Sequence, residues 1–274
     1  MNIIGIILLI LLALFCVYLL LLAARPGKKT MAELRQYRYA HRGYHDKPQI
    51  PENSMAAFRR AVEHGFGAEL DVHLLKDGTL AVMHDSSLLR TAGADVQIED
   101  LTRGELAQYR LEGTAEPVPL LDEVLALFED KTPLIIELKT ARGNHLALSR
   151  AVCDRLGSYR GRFCIESFDP FALMDVKKLR PDFCRGQLSM DFEKEHAGLP
   201  FYKRLIVTNL LLNFLTRPDF IAYRFEDRRK LSPRLCQALW RAQPVSWTIR
   251  TKQDLLACER EGAIPIFERF DPET

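Results

Sequence analysis

At 274 residues, with 47% hydrophobic and 27% charged residues, the chain is long and apolar enough to bury a large core in one domain, which excludes disordered and fibrous classes. A formal net charge of +2, with no block of Lys and Arg in the middle of the chain, excludes nucleic acid as an expected partner. The six cysteines lack a CxxC spacing and five of them fall in the folded part, an odd number that reads as reduced thiols rather than a disulfide framework.

In chain order, the first element is an uncharged apolar run from Ile3 to Ala24, longer than the roughly 18 residues that suffice to cross a bilayer. No Lys or Arg precedes it, as a cleaved signal peptide would require, so residues 3–24 are expected to be a transmembrane anchor. Residues 25–36 read as a basic linker and 37–274 as one domain. Arg25, Lys28, Lys29, Arg35 and Arg38 follow the anchor with only Glu33 against them, and the positive-inside rule then places the domain in the cytoplasm.

Beyond the linker, apolar β-branched runs alternate with runs of helical period. "YRYAH", "AELDVHLL", "PLIIELK", "RFCIESF", "FCRGQLS", "DFIAY", "PVSWTI" and "AIPIFE" predict eight strands. Helices are predicted between them in "ENSMAAFRRAVEHG", "LLDEVLALFED", "NHLALSRAVCDRLGSY", "DPFALMDVKKLR", "SPRLCQALWRAQ" and "TKQDLLACEREG". Eight strands with crossover helices close into a (β/α)8 TIM-type barrel, which carries its chemistry at the carboxyl ends of the strands. His41 and Arg42 stand where the first strand stops.

"ELDVHLLKDGTLAVMHD" breaks the alternation, because only Asp77-Gly78 separates two extended runs. A two-residue hairpin there sets Asp71 opposite His84 and returns the chain toward the active face. Glu69 and Asp71, two apart on one strand, project from the same face, as do Glu137 and Lys139. Any one of these carboxylates reads first as an ion-pair partner of Arg42 or Lys139. Three converging, Glu69, Asp71 and Glu137, read as the oxygen ligands of one hard divalent cation, Ca²⁺ or Mg²⁺. His41 and His84, on either side of a phosphate, would then serve as acid and base.

"AHRG", "PENSMAAF", "GAELDVHLLKDGTLAVMHDSSLLRTAG", "IELK", "SFDP" and "WTI", in this order, resemble the glycerophosphodiester phosphodiesterase family. The resemblance implies metal-dependent cleavage of a deacylated phospholipid to glycerol 3-phosphate and an alcohol. Carried over, it makes His41 and His84 the acid and base pair, Glu69, Asp71 and Glu137 the metal ligands, and Arg42 and Lys139 the holders of the phosphate. It leaves open whether water attacks directly or the glycerol's own hydroxyl first forms a cyclic phosphate. Glu52 falls close by but outside this set, with Asn53 as a plausible helix cap.

Two departures stand out. The family's Trp-Thr-Val-Asn is Trp247-Thr248-Ile249-Arg250 here, a charge in place of an amide, and its closing Thr-Asp-x-Pro is "ERFDP". Alternative readings are a membrane-anchored lysophospholipase D, whose partners are a lysophospholipid and the bilayer, and a silent barrel that only binds. Finally, "LIVTNLLLNFL", residues 205–215, predicts one helix with Asn209, Asn213 and Thr216 as a polar stripe. It is expected either to be buried as a barrel helix or to lay its apolar face on the membrane.

Overall fold

Eight parallel strands close on themselves in the computed structural model, which describes residues 2–26, 29–195 and 198–273. The chain begins with helix α1 (Ile3–Leu21) and a short α2 (Lys29–Leu34). Strand β1 (Tyr39–Ala40) and α3 (Met55–Glu63) lead to β2 (Gly67–Leu74) and β3 (Leu80–Val82). An excursion through α4 (Leu89–Ala92) and α5 (Arg103–Leu106) ends in α6 (Leu121–Phe128). Regular alternation then runs through β4 (Leu134–Leu138), α7 (His145–Leu156), β5 (Phe163–Ser167), α8 (Pro170–Leu179) and β6 (Arg185–Ser189). Three short helices, α9 (Phe192–Glu195), α10 (Phe201–Thr208) and α11 (Asn213–Thr216), precede β7 (Phe220–Arg224). The chain closes with α12 (Leu231–Trp240), β8 (Gln243–Ile249), α13 (Lys252–Arg260) and β9 (Ile264–Phe267).

All eight predicted strands form, in the order β1-β9-β8-β7-β6-β5-β4-β2, with β1 pairing back to β2. β1 is only two residues long, so the edge of β2 beyond Ala68 is free, and β3 takes it in antiparallel pairing. This brings the chain after β3 back over the end of β1.

The hairpin differs from its predicted register. Leu75 N–H donates to Thr79 O (2.9 Å), so the loop is Lys76-Asp77-Gly78, three residues, with Gly78 left-handed at φ +86. Three-residue hairpins place their glycine last, where positive φ is needed. Val72 therefore pairs with Val82, and Met83 N–H donates to the carbonyl of Asp71 (3.0 Å); Met83, not His84, lies opposite Asp71.

The amino-terminal segments are also more integrated than expected. α1 is long and apolar enough to cross a membrane, but it ends at Leu21, and Leu22, Ala23 and Ala24 are buried in the domain. Residues 25–26 and 29–36 also contact the domain. Arg25 pairs with Asp219 and donates to the carbonyls of Pro181 and Phe183, and α2 inserts Met31 and Leu34 against Tyr39, Ile135 and Cys184 beneath the barrel. Each such buried side chain contributes roughly 1.5–3 kcal/mol. Arg38 pairs with Glu259; Lys28 lies outside the described residues, as does the side chain of Lys29.

The predicted helix over 205–215 is two helices. Leu210 takes φ +58 and buries its side chain between Leu22 and Cys236, breaking the axis between α10 and α11. The polar stripe turns inward: Asn213 and Thr216 are 1% or less exposed. Asn213 donates to Cys236 Sγ, and the buried Arg185 guanidinium donates to the carbonyls of Thr216 and Arg217, neutralising the open end of α11.

Candidate active site

The pairing register alone lines up three carboxylates. Asp71 is opposite Glu137 on β4, and Glu137 is opposite Glu166 on β5, so all three point into the barrel at one level. Glu69 lies one inward-facing position below Asp71 on β2. Glu69, Asp71 and Glu137 each place an oxygen within 4.8 Å of the other two, and all are buried. Lys139 reaches back among them, with Nζ 2.8 Å from Glu137 and 3.1 Å from Asp71.

At the end of β1 the chain reverses through two consecutive left-handed residues, Arg42 (φ +56) and Gly43 (φ +80). A Cβ on Gly43 would stand 2.8 Å from that of Ala57 on α3, so position 43 requires glycine for both shape and contact. The reversal aims Arg42 N–H at Glu69 (3.0 Å), and the guanidinium lies 2.9 Å from Glu52 and 3.7 Å from Asp71. Asn53 does not cap α3, which Ser54 does by accepting from Ala57 N–H; Asn53 instead donates to Asp71 (2.8 Å).

Each histidine has a carboxylate behind it. His41 Nδ1 is 2.8 Å from Glu268 Oε2, and His84 Nδ1 is 2.6 Å from Asp85 Oδ1. A carboxylate only accepts, so Nδ1 carries the proton in both rings and a neutral ring leaves Nε2 bare. Nε2 of His41 lies 3.8 Å from Glu69 Oε2. Burial lowers His41 to about 4 despite the hydrogen bond to Glu268. It lowers His84 too, against the pull of Asp71 and with the help of Lys139 and Arg42. Both rings are therefore neutral at pH 7 and able to accept a proton.

The carboxylates are held in opposite senses. Burial, then Asp71, Glu137 and Glu166, raise Glu69 well above the usual range; burial raises Glu137 to about 7, with Asp71 adding to it against Lys139. Glu166 is likewise raised, by burial and then by Glu137 and Asp71, and its Oε2 is a buried oxygen without a hydrogen-bond partner. At Asp71 burial is outweighed by Lys139, His84 and Arg42, which hold it low. Oxygen donors that resist joint ionisation without another cation suit a hard divalent ion. The predicted ligand set fits that group.

His41, Arg42, Glu69, His84, Glu137 and Lys139 share one cavity of about 150 Å³ with Glu166, and Phe168, Leu188 and Trp247 form its apolar wall. Asp71 joins them through Lys139. Wider grooves of about 680, 540 and 510 Å³ lie elsewhere, the first around Arg35, Arg38, His64 and Glu259 at the amino ends of the strands and the second around Tyr44, Lys47 and Arg269, without a cluster of carboxylates and histidines like that of the smaller cavity. In barrel folds chemistry lies at the carboxyl ends, so convergent ionisable groups, not size, identify the site.

A model of the glycerophosphoryl diester phosphodiesterase family matches residues 41–260. The chain belongs to this family. A glycerophosphodiester phosphodiesterase of Caldanaerobacter subterraneus is 31% identical over 255 residues, 86% of this chain and 94% of that one. Lysophospholipase D GDPD1 of Rattus norvegicus is 36% identical over 122 residues, 40% of this chain and 38% of that one. A phosphodiesterase of Oleispira antarctica, solved in complex with the product sn-glycerol-3-phosphate, superposes with a TM-score of 0.71 at 23% identity, covering 87% and 94% of the two chains. At that identity the likeness is one of fold.

Sequence reasoning missed two members of the site. Glu166 ends the strand "FCIES" as Glu137 ends "LIIEL", so aligning strand ends would have found it. Glu268 follows the last strand, and its partner Arg250 is the family departure seen in the sequence: the guanidinium lies 2.8 Å from Glu268, so the two departures form one ion pair behind His41.

Glu52, left outside the set, is a hub that pairs with Arg42, Arg90 and Lys47. Burial raises it, but Arg90, Arg42 and Lys47 together hold it well below the usual carboxylate range. A depressed folded-state value means stability that is present above the unfolded value, roughly pH 4.3, and lost as pH falls toward the folded one. Glu52→Gln is expected to lower Tm at pH 7, with the gap to the parent closing below about pH 4. Melting curves across pH 3–7 check this, and a constant gap would assign the loss to packing instead.

Proposed function

We propose that the protein hydrolyses glycerophosphodiesters to glycerol 3-phosphate and an alcohol, using one divalent cation, Ca²⁺ or Mg²⁺, held by Glu69, Asp71 and Glu137. The observation that carries this reading is the carboxylate cluster with Lys139 inside it and two histidine–carboxylate pairs beside it. When bound, the cation polarises the phosphoryl group and stabilises its developing charge. Arg42 and Lys139 add positive charge beside the transferring phosphorus. One bare Nε2 takes the proton of the attacking water or glycerol hydroxyl as the new P–O bond forms; the other ring, neutral at rest, first takes up a proton from solvent and gives it to the leaving alkoxide as the old P–O bond breaks. Glu268 and Asp85 hold the tautomers that permit this.

α1 is read as a single-pass anchor with the domain on the cytoplasmic side. Arg25 and Arg38 are neutralised in the folded domain, but the positive-inside rule acts during insertion, before those pairs form. A second reading, hydrolysis of a lysophospholipid to lysophosphatidic acid and an alcohol, is supported by the apolar wall of Phe168, Leu188 and Trp247 and by the likeness to a lysophospholipase D.

The test is one panel: glycerophosphocholine, glycerophosphoethanolamine and lysophosphatidylcholine, offered to the full chain in liposomes with Ca²⁺, Mg²⁺ or chelator. Release of glycerol 3-phosphate from the first two supports the main reading. Lysophosphatidic acid from the third alone would move the assignment to the second, and no turnover with either metal would overturn both.

A further inference from the structure

We propose that the barrel does not hang from a flexible tether but is seated on the bilayer, with α10, α11 and the start of α12 in the lipid interface; this rests on reading α1 as the anchor. α1 is held to the barrel by its last turn. Tyr18 Oη lies 2.9 Å from Ser232 Oγ in the first turn of α12, and Ser232 in turn donates to Asn209. Trp240, at the far end of α12, donates to the carbonyl of Leu19 (3.2 Å), and Cys236 Sγ lies 3.6 Å from that of Leu22. Arg25 then reaches Asp219, Phe183 and Pro181, at the amino ends of β6 and β7. The chain thus descends from the carboxyl ends of the strands to their amino ends, alongside α12. Traced backward, Ile3–Val17 leave the domain past its catalytic face.

Length then removes the freedom to stand off. A helix of 19 residues is about 28 Å long, against roughly 30 Å of hydrocarbon. No turn is left over, yet the last one is packed on the barrel through Tyr18, Leu19 and Leu22. Seating α1 across a bilayer therefore brings the elements that grip it to the lipid surface.

Those elements expose the side chains that such a surface takes. α10 is fastened at the carboxyl ends of β6 and β7, where Ser189 donates to Val207 O and Tyr223 to Thr208 O. Away from these bonds, α10 leaves Phe201 (64% exposed), Tyr202 (59%) and Leu205 exposed, with the exposed Lys203 among them in sequence. Phe214 on α11 and Leu231 at the start of α12 are also exposed. Aromatic and aliphatic groups with interleaved lysine and arginine are the composition of an interfacial surface over anionic lipid. The active-site mouth shares this end of the barrel, so phosphodiesters at the headgroup level would meet it without first leaving the surface.

The test uses the full chain with Cys16→Ala, leaving only buried cysteines, and one added cysteine at Phe201, Leu205, Leu12 or Gln36. Each variant carries an environment-sensitive fluorophore and is reconstituted in phosphatidylcholine–phosphatidylglycerol liposomes containing doxyl-labelled lipid. The expected result is quenching at Phe201 and Leu205 chiefly by a doxyl group near the headgroup, at Leu12 by one deep in the chain, and none at Gln36 under the barrel. Quenching at Leu12 alone would overturn the seated barrel while leaving the anchor. Quenching at none of the four would overturn both.

Discussion

His41→Ala and His84→Ala each lose about 10²- to 10⁴-fold in turnover while keeping the parent's fold. Both rings border the same cavity, both are pushed toward the neutral form by burial, and each has its Nδ1 fixed by a carboxylate. Neither is part of the large apolar core clusters, so the substitutions remove a proton carrier and not packing. Glu268→Ala tests the same arrangement from behind. It removes the acceptor that orients His41 and leaves Arg250 without its partner, and is expected to lower kcat with a smaller change in KM and to alter the pH profile of kcat. Steady-state kinetics from pH 5 to 9, with circular dichroism to verify the fold, check all three. Parental turnover in either histidine variant would remove the acid and base assignment.

Removing the cation has an effect of the same order. Polarisation of a phosphoryl oxygen by a metal is worth several kcal/mol, at about 1.4 kcal/mol per tenfold, so exhaustive chelation is expected to lower turnover by about 10³-fold or more, reversibly. The carboxylate cluster supplies a second readout that needs no substrate. Glu69, Glu137 and Glu166 are all raised, first by burial and then by neighbouring carboxylates, Asp71 among them in each case, so a cation that binds only the folded state raises Tm. At 100 times its dissociation constant the gain is about 2.7 kcal/mol. Glu69→Gln keeps an acceptor for the Arg42 N–H but loses the charge. It should abolish both turnover and the metal-induced rise in Tm, yet in chelator melt no lower than the parent, because burial and the neighbouring carboxylates already disfavour the charge on Glu69. Full activity without detectable metal, or a metal-induced rise unchanged in the variant, would defeat the assignment.

Much of this site was legible because strand ends are legible. Period-two patterning marks which side chains of "AELDVHLL" and "PLIIELK" share a face, and barrel closure sends one face of every strand to the same interior. Glu69, Asp71, Glu137 and Lys139 converge for that reason alone. The hairpin was legible as a turn but not in register. Asp77-Gly78 supports a two- or a three-residue loop, and one residue of slip exchanges His84 for Met83 opposite Asp71.

The amino-acid sequence by itself therefore determined the family, the eight strands, the apolar amino-terminal run and the ionisable groups at the mouth, since each is written in local period or in a short contiguous motif. Tertiary structure decided what depends on groups far apart along the chain. Glu268 stands behind His41 across 227 residues, and Tyr18 meets Ser232 across 214. Glu166 is aimed into the site, its Oε2 without a hydrogen-bond partner among the described residues, because β5 pairs in register with β4. The direction of α1 and the inward turn of Asn213 and Thr216 have the same origin. A helix reads its own amphipathicity from sequence, but which face is buried depends on what packs against it: here Leu210 breaks the axis, Arg185 neutralises the buried end, and α10 leaves Phe201, Tyr202 and Leu205 exposed.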